Sequence, residues 1–251
     1  MKQQKNIYFA SDAHLGAPTI KDHRAHEKRF VAWLDSIKDN TRELYLMGDI
    51  FDFWFEYRHV VPRGHTRFLG KLCEFTDQGI PVHFFTGNHD IWIFDYLPKE
   101  IGVTVHKEQY TPVIDGKRFF LAHGDGLTRF EEHYKKIKSV FTNPLAQKLF
   151  HWLHPDLGIA LANFWSRKSR QSNEDSEKAK FQGEENEWLI IYAKEILQTR
   201  HFDYFIFGHR HIMLDLPLNE NSRICYLGDW VTQFSYAVWN GETLSLKSFN
   251  P

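Results

Sequence analysis

Five short blocks of this chain hold carboxylate, imidazole and amide side chains at close spacing. They are Asp12-Ala13-His14, Gly48-Asp49-Ile50-Phe51-Asp52, Gly87-Asn88-His89-Asp90, His123-Gly124-Asp125 and Gly208-His209-Arg210-His211. Singly, each reads as an ordinary turn. Together they supply enough donors for two divalent cations about 3.5 Å apart, each with several ligands and one in common. A carboxylate suits the shared position, because it has two oxygens and a full negative charge. The mixture of nitrogen and oxygen donors favours manganese foremost, with zinc, iron or cobalt as alternatives, over magnesium or calcium, which prefer oxygen shells. Such a pair acidifies a water from a pKa of 15.7 towards roughly 7 and neutralises the oxygens of a phosphoryl group. The expected chemistry is hydrolysis of a phosphoric ester or anhydride.

Each block follows an apolar run. "NIYFAS" (6–11), "ELYLMG" (43–48), "PVHFFTG" (81–87), the second half of "VIDGKRFFLAHG" (113–124) and "FDYFIFGH" (202–209) all read as strands, the fourth entered through a hairpin at Asp115-Gly116. Open α/β sheets bind ligands at the C-terminal ends of their strands, so the five blocks are expected along one sheet edge. Between the early strands lie helical patterns, one over 22–39 with Phe30, Trp33, Leu34 and Ile37 on one face, and one over 64–79 closed by Gly79. Strand–helix alternation implies parallel strands. "RICYLGD" (223–229), "FSYAVW" (234–239) and "TLSLKSF" (243–249), the last two joined by Asn240-Gly241, imply a second sheet packed on the first. Strand signal is nearly absent from 128 to 199, where the patterns predict helices over 129–141, 144–153, 157–169 and 184–198. The fold class expected is α/β, a sandwich of two packed mixed sheets flanked by helices. Residues 1–127 and 200–251 would form its core and 128–199 a helical lid insertion.

The 251 residues, 42% hydrophobic, sustain a full core. A formal net charge of −1 lacks the basic excess of a nucleic-acid binder. Cys73 and Cys225 are the two cysteines, in no CxxC arrangement, so no disulfide framework is expected and a reducing, cytoplasmic setting fits. No secretory signal or run of 18 apolar residues is visible, and no obligate protein partner is expected.

The blocks "DAH", "GDIFD", "GNHD", "HGD" and "GHRH", spanning residues 12 to 211, resemble those of the calcineurin-like metallophosphoesterases. The resemblance implies that Asp12, His14, Asp49 and His211 hold one metal and Asp49, Asn88, His123 and His209 the other, with Asp49 bridging. It implies that His89 stands beside the phosphate, stabilising the transition state or protonating the leaving oxygen, and that the Asp52 carboxylate orients it. With "SDAHLG", "GDIFDFW", "YLGDW" and the helical insertion added, the sequence is similar to the UDP-2,3-diacylglucosamine hydrolases of lipid A synthesis over nearly its whole length. That family cleaves the pyrophosphate of a nucleotide-linked diacyl sugar, giving UMP and 2,3-diacylglucosamine 1-phosphate, and its insertion is a lid that receives acyl chains. The best-known branch carries arginine where this chain has His89.

The residues of the insertion suit that role. Phe141, Leu145, Leu149, Phe150, Trp152, Leu153, Leu157, Ile159, Leu161, Phe164 and Trp165 form an apolar series, with Lys135, Lys136 and Lys138 before it and Arg167, Lys168 and Arg170 after. The series would line an acyl groove with basic flanks for a diphosphate or anionic lipid heads, and a plain packing face with a solvated rim would look the same. Contacts to the substrate are expected from Asn88, His89, Trp54, Glu131, Ser166, Arg167, Lys168, Ser169 and Arg170. The expected partner is a nucleotide-linked lipid met at the inner-membrane surface, where the protein would sit peripherally. The alternatives are a phosphodiesterase or phosphatase for another phosphoester, and a non-catalytic scaffold of the same fold, which predicts eroded ligands.

Overall fold

The alternation of side chains along the first strand decides the layering. In the computed structural model, which describes residues 5–128, 132–174 and 180–250, strand β1 (Asn6–Ala10) sends Ile7 and Phe9 to one face and Tyr8 and Ala10 to the other. All four are buried, so the strand is covered on both sides. Three strands run parallel beyond it: β2 (Thr41–Leu46), β3 (Val82–Phe85) and β4 (Thr104–His106). A second sheet holds β5 (Val113–Ile114), β6 (Lys117–Ala122), β7 (Tyr204–Phe207), β8 (Met213–Asn219) and β9 (Ser222–Leu227) in the order β5-β6-β7-β9-β8, with β6, β7 and β9 parallel. The last two strands, β10 (Ser235–Trp239) and β11 (Leu244–Ser248), return to the first sheet and pair antiparallel outside β1.

Three apolar layers result. Between the sheets, Ile7, Phe9, Tyr45 and Met47 meet Phe119, Leu121, Ile206 and Cys225. On the outer face of the first sheet, Tyr8, Leu44, Leu46 and Phe84 pack under helices α1 (His23–Ile37) and α2 (Thr66–Asp77) through Phe30, Trp33, Leu34, Phe68 and Leu72. Each such side chain contributes about 1.5–3 kcal/mol when fully buried. The helix entries are capped by side chains. Asp22 accepts from Ala25 N at 2.9 Å, and Glu27, itself on α1, accepts from Arg67 N and Phe68 N at 3.0 and 3.2 Å at the start of α2.

The chain leaves the second sheet after β6 and re-enters at β7, its hydrogen-bonded neighbour. The excursion contains α3 (Glu132–Phe141), α4 (Pro144–His151), α5 (Pro155–Glu174) and α6 (Trp188–Leu197). Asn143 caps α4, accepting from Leu145 N at 2.8 Å, with Pro144 at the first helical position. The last helix departs from the expected division at residue 199. Leu189, Ile190 and Ala193 of α6 pack on Phe120, Phe205, Phe207 and Ile224, so α6 is the covering layer of the second sheet. Strands β4 and β8 also go beyond the sequence reading. Pro217 hides β8, and it is tolerated because β8 is the sheet's edge strand and its register shifts there.

His65, just before α2, is buried with its ring edge-on to Phe51 at 4.9 Å. Burial holds its imidazole down at about 4. The unfolded chain takes up a proton near the ordinary value of 6.5, which the folded chain refuses until about pH 4. Stability therefore falls as pH drops through this window, by up to about 3 kcal/mol from this residue alone. Denaturant midpoints at pH 7 and pH 4.5 should differ by less in His65→Gln than in the parent, and an equal difference would show that His65 does not carry the effect.

Candidate metal centre

Five strand ends deliver the donor residues, three from the first sheet and two from the second. The expectation of one sheet edge is corrected here. β1, β2 and β3 lead to Asp12 and His14, Asp49, and Asn88, whereas β6 and β7 lead to His123 and His209, and the two C-terminal edges face each other across the site. The backbone bends sharply to aim these side chains. Among the described residues seven non-glycines have φ in the left-handed region, and five of them are donors: Asp12 (54°), His14 (44°), Asp49 (52°), His209 (65°) and His211 (51°). Such conformations cost of order 1–3 kcal/mol each, and they persist where the surroundings over-determine them. Close approach also demands glycine at two places. A Cβ on Gly87 would strike the Asp49 carboxylate, and one on Gly208 would come within 2.7 Å of Asp12 Oδ2.

The donors form two connected groups. In the first, His211 Nε2 lies 3.2 Å from Asp12 Oδ1, and His14 Nε2 lies 3.8 Å from the same oxygen. In the second, Asn88 Oδ1 stands 3.3 Å from His123 Nε2 and 3.0 Å from His209 Nδ1. Asp49 joins them. Its Oδ1 accepts the main-chain N–H of His89 at 2.8 Å, and its Oδ2 faces His14 Nε2 at 3.9 Å and His123 Nε2 at 3.4 Å. Asp12, His14, Asp49 and His123 are all buried.

A second layer sets which ring nitrogen points inward. His123 Nδ1 donates to Met47 O at 2.8 Å, His14 Nδ1 lies 3.2 Å from Asp52 Oδ1, and His211 Nδ1 lies 3.4 Å from Asp229 Oδ2. With those partners taking the Nδ1 protons, the Nε2 atoms of His14 and His211 turn lone pairs into the site. The Nε2 atoms of His14 and His211 then face each other at 3.2 Å, acceptor to acceptor, which a shared cation relieves. The buried Oδ1 of Asp12 accepts no hydrogen bond and is left for the same purpose. The charges agree. Burial pulls the His123 imidazole down, but the Asp49 carboxylate outweighs it and lifts the pKa to about 10. Burial likewise raises the Asp12 carboxyl, and the neighbouring His211 and His14 imidazoles overcome it to bring it to about 2. His209 goes the other way, to about 4, through burial and the positive charge on His123. The cluster draws positive charge into a buried place, and the residues present fit a pair of divalent cations.

Other expected site residues lie elsewhere. Trp54 does not line a substrate mouth. It is fully buried under the first sheet, stacked on Phe51 at 4.3 Å, with Nε1 donating to Glu56. The Asp52 carboxylate is not the hydrogen-bond partner of His89. The His89 Nδ1 bond goes to the main-chain carbonyl of Asp52 at 3.0 Å, and the nearer carboxylate oxygen is 3.6 Å away, drawn to His14. Ser166, on α5, is buried and donates to Asp52 Oδ2 at 2.8 Å, so its hydroxyl ties the lid to the centre rather than meeting substrate. Glu131 lies outside the described residues. Arg167, Lys168, Ser169 and Arg170 lie on α5, and their side chains fall outside the described residues.

Three residues escape the sequence reading. Asp90 stitches two blocks together, accepting from Gly87 N at 2.7 Å and from Ile50 N at 2.9 Å. Arg210 forks onto buried Glu187 at 3.0 and 2.8 Å, anchoring the His209–His211 turn to the start of α6. Asp229 backs His211 and also accepts from Val231 N, Thr232 N and Gln233 N through Oδ1. Its signal is the Gly228-Asp229 pair at a strand end, which repeats the pattern of Gly48-Asp49.

The chain belongs to the calcineurin-like phosphoesterases, whose family model matches residues 5–213. It is 46% identical to the UDP-2,3-diacylglucosamine hydrolase of Porphyromonas gingivalis, with 98% of each chain aligned. It is 25% identical to the enzyme of the same name from Yersinia pseudotuberculosis, over 96% of this chain and 98% of that one. Among solved structures, the zinc complex of Vps29 from Entamoeba histolytica matches loosely, with a TM-score of 0.42 at 11% identity over 96% of this chain and 89% of that one.

Asp229→Asn keeps the Oδ1 acceptor for the turn but places an amide N–H against His211 Nδ1. Affinity for a divalent ion at the Asp12–His14–His211 group should fall about 10–100-fold. Titration of metal-free protein with manganese, followed by calorimetry, measures it, and unchanged affinity would show that Asp229 does not set the ring.

Proposed function

We propose that this protein is a dinuclear-metal hydrolase that cleaves the pyrophosphate of UDP-2,3-diacylglucosamine, yielding UMP and 2,3-diacylglucosamine 1-phosphate. The observation that carries this reading is the full-length 46% identity to a hydrolase named for that substrate. The complete set of seven donors supports it, since a protein retaining only the fold has no need of them.

In this reading Asp12, His14, Asp49 and His211 would hold one ion, and Asp49, Asn88, His123 and His209 the other, with manganese the first candidate. Bound there, the ions supply charge neutralisation for the phosphoryl oxygens and a water acidified towards roughly pH 7. The chain's own groups do the rest. Asp49 would serve both ions; its Oδ1 accepts the His89 N–H and its Oδ2 faces His14 and His123. The Asp52 carbonyl holds the His89 ring at Nδ1, and that ring would exchange a proton with the leaving oxygen. Asp52 fixes the His14 ring and, through Ser166, the position of α5 over the site.

The lid suits a diacyl substrate and attachment to the inner face of a membrane. Leu145, Leu149 and Trp152 on and just after α4, and Leu157, Leu161 and Phe164 on α5, recur at helical spacing and are exposed, Trp152 by 80%. Lys136 on α3 is exposed too, in reach of anionic headgroups. No described helix is long and apolar enough to cross a membrane.

Metal-loaded protein should release UMP from UDP-2,3-diacylglucosamine, and chelation should abolish release. His89→Ala should keep both metals yet lower kcat by about 10²–10⁴-fold, the usual share of a general acid. Liquid chromatography of UMP and elemental analysis read the two quantities. Full activity in His89→Ala would remove the residue from the mechanism, and no UMP from the parent protein would remove the substrate.

A further inference from the structure

Two cavities flank the donor cluster, and lysines line one of them. One, of about 420 Å³, begins at Leu15 beside His14 and is walled by Phe53, His65 and Ile159 of α5. The other, of about 650 Å³, begins at His123 and lies between α3 and the segments that follow β3 and β4. Lys107, Lys135 and Lys138 line it, with Gln109, Glu108 and Asp125. Both volumes fall within the range of small-molecule sites.

The charges in the larger cavity do not cancel. Lys138 is engaged by Asp125 at 2.6 Å, and the same carboxylate accepts the Tyr134 hydroxyl. Lys107 and Lys135 form no ion pair among the described residues, and Glu108 is the remaining acid of the lining. Two ammonium groups therefore line this cavity, one on α3 and one on the segment after β4, with the candidate metal ligand His123 in the same lining. That arrangement suits a phosphate bearing a polar, hydrogen-bonding group. On the other flank, Leu15, Phe53 and Ile159 wall the smaller cavity together with Arg63, Glu27 and Asp156, whose charges offset one another in part, and the exposed stripe of α5 begins there.

We propose that the lysine-lined cavity receives the nucleoside monophosphate half of the substrate, with Lys107 and Lys135 gripping its phosphate. The inference rests on the sugar-nucleotide reading above. It orients that substrate across the metal pair: nucleotide towards His123 and α3, acylated sugar towards His14, Phe53 and α5. Gln109 and the neighbouring main chain are placed to offer hydrogen bonds to the base.

Calorimetric titration of metal-loaded protein with UMP and, separately, with glucosamine 1-phosphate tests it. In the double variant Lys107→Ala/Lys135→Ala the Kd for UMP should rise about tenfold or more, the loss expected for charge-assisted contacts. Glucosamine 1-phosphate should change by less than about twofold, because its half lies on the other flank. The double variant Lys107→Arg/Lys135→Arg, which keeps both charges, should restore UMP binding. Unchanged UMP affinity, or equal weakening of both ligands, would overturn the assignment. The titration does not involve the acylated sugar nucleotide, so it can fail while that substrate is still cleaved, and can succeed where it is not.

Discussion

Two buried carboxylates, Asp12 and Asp49, stand among four imidazoles at the meeting of two sheets, and the molecule is arranged around the charge they require. An isolated anion in such a place costs several kcal/mol after all relaxation. The fold does not avoid that cost by neutralising the pair with arginine or lysine. It surrounds the carboxylates with imidazole rings, and it spends their outward nitrogens on Met47 O, Asp52 and Asp229. The result is a cluster with oxygen and nitrogen donors to spare, in which the Asp49 carboxylate keeps the His123 ring positively charged at neutral pH. Five left-handed backbones and two obligatory glycines are the local consequences.

The strand ends, the donor blocks and the two-sheet class are legible in the sequence because each rests on a short-range pattern: an apolar run, then glycine, then a donor. What is hidden depends on the third dimension. Trp54 sits in the same loop as Asp52, and nothing in the string separates a side chain aimed at the core from one aimed at a substrate. Asp52 has the expected neighbours, but its carboxylate and its carbonyl exchange them, the first taking His14 and the second His89. A proline inside β8 argues against a strand unless one knows that the strand lies at an edge. The apolar face of α6 looks like lid until the sheet it covers is known to begin at Phe120.

Asp52 also shows how a single residue couples layers that the sequence presents as separate. One carboxylate oxygen holds a donor ring, the other accepts a hydroxyl from α5, and the main-chain carbonyl positions His89. The geometry of the centre and the seat of the lid are thus linked through one hydrogen-bonded node. Because the groups are buried and charged, each bond in it is stronger than its counterpart in water.

The long excursion between β6 and β7 leaves and rejoins the second sheet at adjacent rungs. In chain-statistical terms its ends are already pinned, so lengthening it costs little: about 0.6 kcal/mol of closure entropy for each doubling. Helices can therefore be added, trimmed or reshaped in that stretch without disturbing the ladder on either side. Natural variation in how bulky a cargo such an enzyme accepts would accumulate there, while the frame that carries the reaction stays fixed.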